Sequence, residues 1–449
     1  MLPTSTAAPQ KGENRPRGHS RIGGLLLPLL VLLPLQWFGL GSTPLGSARL
    51  HQVTLLAVAA LILLRLRLKA YAPLCRTAAP LVLGVLYLEL SWAALELYRG
   101  TLPTGAVQGL LYLGAFLAIG TCFYRAASGI EPGLVSLLRW SGPLACVSLL
   151  VAFSIAMLIN GINPTNVLGR TVATADPEVF QKEIFRSSFA GFGLDPDMVR
   201  GNLRHEVFGA LLLSLLVSTW AMKVGARVTA AQQGAYRAAV ATGVALLALS
   251  LSRSVLIAAT LWPMLALLRS ARRGGLTRRQ LLTAAVAVSA GGTLVLTGIG
   301  LVIWNRFTTD TTGYEARAEN YGTAFQALGD HWLTGGYETG GQSTHNFVLD
   351  STLRGGILAG FAALVVLVFA AARWARLVLL LPRRAEWLVP VTAALGLPLV
   401  RMGTSGGGLI PPVEWVALAF VFGVLAVRPS RQPRQPRIER GAAIMPPRP

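Results

Sequence analysis

Apolar residues fall along this chain in continuous runs, and polar residues collect in the gaps between them. The runs cover approximately 22–40, 50–64, 78–97, 104–124, 138–159, 207–222, 235–250, 253–269, 281–303, 346–372, 387–402 and 409–427. Most approach the roughly 17–25 residues with which a helix crosses a bilayer. Barrel strands would instead alternate apolar and polar positions. The pattern predicts an all-α polytopic membrane protein of about 12 transmembrane helices over 22–427. Residues 1–21 form a polar basic tail, and 428–449 an Arg/Pro-rich tail read as disordered. Pro28 and Pro34 interrupt the first run, for which a cleaved signal peptide is the competing reading. Two gaps are long, about 160–206 and 304–345.

Composition sharpens this picture. The 449 residues are 53% hydrophobic and 13% charged, about half the charge of a soluble domain. The net charge of +21 suggests nucleic acid at first sight, but the basic residues sit in short clusters between apolar runs. With the N-terminus inside and the runs alternating, inside segments hold 28 of the 40 Lys and Arg. That is the bias of cytoplasmic loops. Both tails come out cytoplasmic and both long loops extracytoplasmic; membrane lipids, not nucleic acid, are the expected partners. Cys75, Cys122 and Cys146 lie in or beside apolar runs and no C-x-x-C occurs, which predicts neither disulfide nor metal.

Basic residues in unusual places mark the candidate chemistry. Arg253, between two runs, has no acid anywhere in 238–268, and Arg401 in L-P-L-V-R-M is similarly alone. Such arginines are costly and usually functional, unless they snorkel to headgroups. The second long loop carries Arg306 and Arg317. Within it Tyr314, Ala318, Tyr321, Phe325 and Leu328 follow helical spacing, predicting an amphipathic helix over 314–328 that lies on the bilayer or on the other spans. Arg317 borders this stripe with no acid at i±3 or i±4, free for a bidentate contact with an anion at headgroup depth. His345 and Asn346 open the next run. A helix N-terminus favours anions, and neutral imidazole can accept a proton near pH 7. An N-cap role for Ser343, Thr344 or Asn346 is the simpler account of this junction.

These features together resemble the O-antigen ligase and polymerase superfamily of integral membrane glycosyltransferases. The motif residues are S-R-S at Arg253, a loop helix with Arg317, glycine pairs at 335–336 and 340–341, and His345-Asn346. Arg186, in the first long loop, is similar to the family's R-x-x-G-x-x-x-x-P-N pattern, with Asp197 in place of Asn. The chain also departs from the family in W-L-T-G-G-Y, which lacks a proline, and in Arg354 before Gly355-Gly356, where an acid is common. The resemblance implies a polyprenyl-diphosphate-linked glycan as donor, presented at the outer face of the bacterial inner membrane. A glycan, lipid or protein hydroxyl is the implied acceptor, and no metal, nucleotide sugar or other cofactor is implied. Arg253 and Arg317 would clamp the diphosphate and stabilise developing charge. His345 would serve as base, with Asp330, Glu315 and Glu319 as weaker candidates. Arg186, Arg306, Asn346, Tyr321 and Arg401 are the expected substrate-binding set. Ligase is the first reading, repeat-unit polymerase the second, and a transporter or flippase the third.

Overall fold

A computed structural model describes residues 23–36, 38–43, 46–176, 179, 183–184, 204–225, 228–272, 299–308, 312–337, 344, 346–382, 385–404 and 411–427. In chain order the helices are α1 (Leu26–Leu32), α2 (Leu50–Arg65), α3 (Ala72–Thr77), α4 (Ala79–Tyr98), α5 (Thr104–Ala127), α6 (Pro132–Leu138), α7 (Ser141–Ile159) and α8 (Pro164–Thr174). They continue with α9 (Arg204–Lys223), α10 (Ala230–Leu249), α11 (Arg253–Ala271), α12 (Ile299–Thr308) and α13 (Thr312–His331). Last come α14 (Phe347–Leu380), α15 (Leu388–Thr404) and α16 (Pro412–Leu425).

Among the described residues six helical stretches are long and apolar enough to cross a membrane: α4, α5, the α6–α7 stretch Pro132–Ile159, α9, α11 and α14. Helices α2, α15 and α16 are apolar but shorter. A 14-residue helix such as α16 rises about 21 Å, short of a roughly 30 Å hydrocarbon core. The first run differs from its expectation. It yields only the seven residues of α1, because Pro34 supplies no N–H to extend the helix. The chain then makes an antiparallel hairpin, β1 (Gly39–Thr43) with β2 (Gly46–Arg49). Most of the run 281–303 lies outside the described residues.

Helix α5 is the centre of the packing. Its Phe116 meets Trp415 and Phe422 of α16 edge-on, and Phe123 meets Phe420. Between these rings a Cβ at Gly423 would run into the Gly120 carbonyl oxygen, so the two backbones touch. Lipid tails are as apolar as leucine, so helices in a bilayer gain little from simple burial. Close approach at small residues and interhelical hydrogen bonds take its place. Serines supply the second device. Ser214 Oγ donates to the Leu30 carbonyl (2.8 Å), Ser218 Oγ to that of Arg139 (2.7 Å) and Ser148 Oγ to that of Val31 (3.0 Å). These bonds tie α1, α7 and α9 together.

The directions of the helices define two ends. Arg269 lies 3.4 Å from Glu386, just before α15, and Lys223 at the end of α9 lies 2.8 Å from the same carboxylate. Nearby, Arg139 donates to the carbonyls of Ala221 (3.1 Å) and Val224 (3.4 Å) and to Gln232 Oε1 (3.2 Å). Further along, a Cβ at Gly396 of α15 would strike Leu261 of α11. The pairs 269–386 and 261–396 make α11 and α15 antiparallel. Arg253 and Arg401 therefore lie toward one end of the bundle, opposite the Lys223–Glu386 end.

Candidate functional site

The end that holds Arg253 and Arg401 also holds the starts of α5, α9, α14 and α16 and the end of α4. In the second long gap, α13 spans Thr312–His331 and covers the predicted 314–328 helix. Its packing against α14 buries Ala324 and leaves Tyr321 and Leu328 half-buried, while Phe325 is 62% exposed and Ala318 is exposed. The buried edge is thus centred one residue from the stripe read in the sequence. Tyr321 stacks on Phe325, ring centroids 6.4 Å apart. Arg317 belongs to α13 and Arg306 to α12; their side chains, and Arg186 and His345 entirely, lie outside the described residues.

Beyond α13 the chain turns through Gly335 (φ +70°) and Gly336 (φ +93°). His331 Nδ1 stands 3.2 Å from the Gly335 carbonyl oxygen, and because a carbonyl only accepts, Nδ1 carries the proton there. The turn docks on α14 at an interruption of that helix. Gly356 has φ +74° and ψ −174°, a conformation that a side chain would strain. The carbonyls that the interruption frees are satisfied from the turn: Gly336 N–H donates to Arg354 (2.9 Å) and Tyr337 N–H to Leu353 (3.0 Å).

Asn346 caps the start of α14. Its Oδ1 accepts from Val348 and Leu349 N–H, both at 3.1 Å, and Asp350 accepts from Thr344 N–H (2.9 Å) and Oγ1 (2.6 Å). The simpler account of Asn346 therefore describes what its side chain does.

Arg354, on the turn before the interruption, donates to Glu96 Oε1 of α4 at 2.9 Å. Its guanidinium also stacks 4.6 Å from the centroid of Trp92. One face of α4 thus presents Glu89, Trp92 and Glu96. Helix α5 makes room for them: a Cβ at Gly105 would come within 3.0 Å of the guanidinium, and one at Gly109 would overlap the Glu89 carboxylate. Among the described residues Glu89 Oε2, Trp92 Nε1 and Glu96 Oε2 are buried without a hydrogen-bond partner.

Arg401 departs from its expectation. It is 3% exposed and its Nε lies 3.1 Å from Glu414 Oε1, on a carboxylate that is itself 1% exposed. The lone arginine has a counter-ion after all, on α16, where neighbours along its own helix could not reveal one. Glu206, at the start of α9, lies within electrostatic reach of Arg401 and 4.0 Å from Arg49. Arg253 begins α11, is half-buried, and has an interaction partner.

The acids in the apolar runs carry as strong a signal as the isolated bases. Glu89 and Glu96 in the run 78–97 and Glu414 in the last run were equally visible, and a carboxylate in an apolar run is as costly as a guanidinium. Each meets an arginine across helices: Glu414 is paired with Arg401, Glu96 with Arg354, and Glu89 lies within electrostatic reach of Arg354.

What the fold and this end define is a helical protein with, among the described residues, six helical stretches of membrane-spanning length and composition and a polar, ion-paired end. No known family model matches the chain, and no curated protein is detectably similar to it.

Proposed function

We propose that the chain is a metal-independent membrane glycosyltransferase of the O-antigen ligase type. It moves a glycan from a polyprenyl diphosphate carrier to an acceptor hydroxyl at the outer face of the bacterial inner membrane. In this reading the chain crosses the membrane about twelve times, with both tails in the cytoplasm. The observation that supports it is the order of Arg253, the loop helix with Arg317, the glycine turn and His345-Asn346, together with the docking of that turn on the start of α14.

The chemistry follows from the residue types. His345 takes the proton of the acceptor hydroxyl, and the oxygen attacks the anomeric carbon of the donor sugar. The bond from that carbon to the diphosphate oxygen breaks, and the lipid diphosphate leaves with the electron pair. Arg253 and Arg317 carry fixed positive charge toward the phosphates, where negative charge accumulates in the transition state. Arg306, Arg186 and Tyr321 supply further contacts to carrier or sugar. A repeat-unit polymerase uses the same donor and base and differs only in its acceptor, a glycan still on its carrier.

The test gives purified protein in detergent a polyprenyl-diphosphate glycan and a panel of acceptors, beside Arg317→Ala and His345→Ala. One glycan joined to a non-carrier acceptor, with release of polyprenyl diphosphate, identifies a ligase; a ladder on the carrier identifies a polymerase. Each substitution is expected to lower turnover about 10²–10⁴-fold. No turnover by the wild type, with carrier binding indifferent to both substitutions, would refute transfer and return the transporter reading.

A further inference from the structure

Where the resembled family commonly has an acid before the glycine pair, this chain has Arg354, and the structure gives that arginine its own machinery. Segment 347–355 is a short helix in its own right, closed at its far end by the non-helical Gly356. Its near end is capped by Asn346 and by the Thr344–Asp350 bonds. Its far end is held in two ways. The turn after α13 donates two backbone hydrogen bonds to its last carbonyls. Arg354 reaches α4, where Glu96 accepts at 2.9 Å and the Trp92 ring lies beneath the guanidinium.

The fit is close on every side. A Cβ at Gly355 would lie 2.8 Å from Trp92 Nε1, and one at Gly336 would overlap the Arg99 guanidinium. Glu89 is 8% exposed and has one carboxylate oxygen without a partner among the described residues. Its carboxyl lies within electrostatic reach of Arg354.

We infer that Arg354 is a positioning residue: its pairing with Glu96 and stacking on Trp92 lock segment 347–355 against α4, and so fix Asn346 and the start of α14, next to His345 in the sequence. The inference deepens the proposed transfer reaction and rests on it for its catalytic consequence. The lock itself is a property of the fold. A segment joined to the rest of α14 through the positive-φ Gly356 can pivot there. Displacement of a reacting group by about 1 Å costs on the order of 100-fold in rate.

The experiment compares Glu96→Gln, Arg354→Met and Arg354→Lys with the wild type. It uses two readouts: amide hydrogen exchange of 336–355 without substrate, and steady-state transfer. Glu96→Gln and Arg354→Met are expected to lose protection over 347–355 and at Gly336 and Tyr337. They are expected to lower kcat about 10–100-fold with the donor KM unchanged, while Arg354→Lys, which keeps the charge, falls between them and the wild type. Wild-type protection and kcat in Glu96→Gln would overturn the inference. So would a raised donor KM at unchanged kcat, which would make Arg354 a substrate ligand. Glu96→Gln is near-isosteric and half-buried, so it carries the test if Arg354→Met does not fold. If the wild type transfers nothing, the transfer reading fails separately. The exchange readout then decides the lock by itself: lost protection in Glu96→Gln upholds it and retained protection overturns it.

Discussion

Replacing Glu414 by Gln leaves the Arg401 guanidinium buried with its nearest counter-charge gone. Arg401 is 3% exposed and cannot reach water, and a guanidinium cannot shed its proton. Removing one partner of a buried ion pair costs about 3–5 kcal/mol. Glu206 remains within electrostatic reach of Arg401, which places the expected loss near about 3 kcal/mol. Scaling down the 2–4 °C per kcal/mol of 150–250-residue domains to a longer chain gives about 1–2 °C per kcal/mol, hence a fall of about 3–6 °C in apparent midpoint. The assay heats the purified protein in detergent and follows the monodisperse fraction by size-exclusion chromatography. The double substitution Arg401→Met/Glu414→Leu should recover most of the loss, since apolar groups of similar volume replace a buried pair at little cost. The cycle formed by the two single variants and the double isolates the coupling. A midpoint for Glu414→Gln within about 1 °C of the wild type, or a double variant less stable than both singles, would refute the reasoning. Under the proposed transfer reaction the double variant also gives a functional answer: retained turnover makes the pair structural, and a stable but inactive protein returns Arg401 to the proposed substrate-binding set.

Three further outcomes follow from the packing. Gly423→Leu forces apart the contact with the Gly120 carbonyl and should cost more than about 3 kcal/mol by overpacking, read as loss of monodisperse protein; a well-behaved variant would show that α5 and α16 are not in backbone contact. Arg139→Ala removes three hydrogen bonds from a buried guanidinium and strands the carbonyls of Ala221 and Val224, a loss of about 2–4 kcal/mol in the same assay. Lys223 and, more weakly, Arg269 hold the Glu386 carboxyl below its ordinary range. A carboxyl depressed on folding contributes stability above its unfolded pKa, and the contribution is lost as pH falls through the folded value. Wild type and Glu386→Gln should therefore converge in midpoint as the pH is lowered below the ordinary carboxylate range. Because Glu386 is largely exposed, the gap at neutral pH should be small and shrink with salt; a gap that persists in acid would contradict the assignment.

The sequence by itself determined that the chain is helical and apolar enough to span a membrane. A bilayer core offers the backbone no water, so continuous apolar runs of sufficient length have one solution, the helix. It also determined α13, since a 4,3,4,3 spacing of apolar residues closes on one face only as a helix, and it named Asn346 as one of three caps for the turn at which α14 begins. Pro34 and the glycines around 39–46 were on view, but a run scored for hydropathy alone passes over the proline that ends α1.

Tertiary structure decided where the charges go. Arg401 looked solitary because its counter-ion is thirteen positions away on an antiparallel helix, and Arg354 looked misplaced because its acid lies 258 positions earlier, on α4. No periodicity within one helix encodes which face of another it will meet. The interruption at Gly356 has the same origin. A Gly-Gly pair in an apolar run permits a bend, but only the glycine turn after α13, arriving to satisfy the freed carbonyls of Leu353 and Arg354, makes the bend stable.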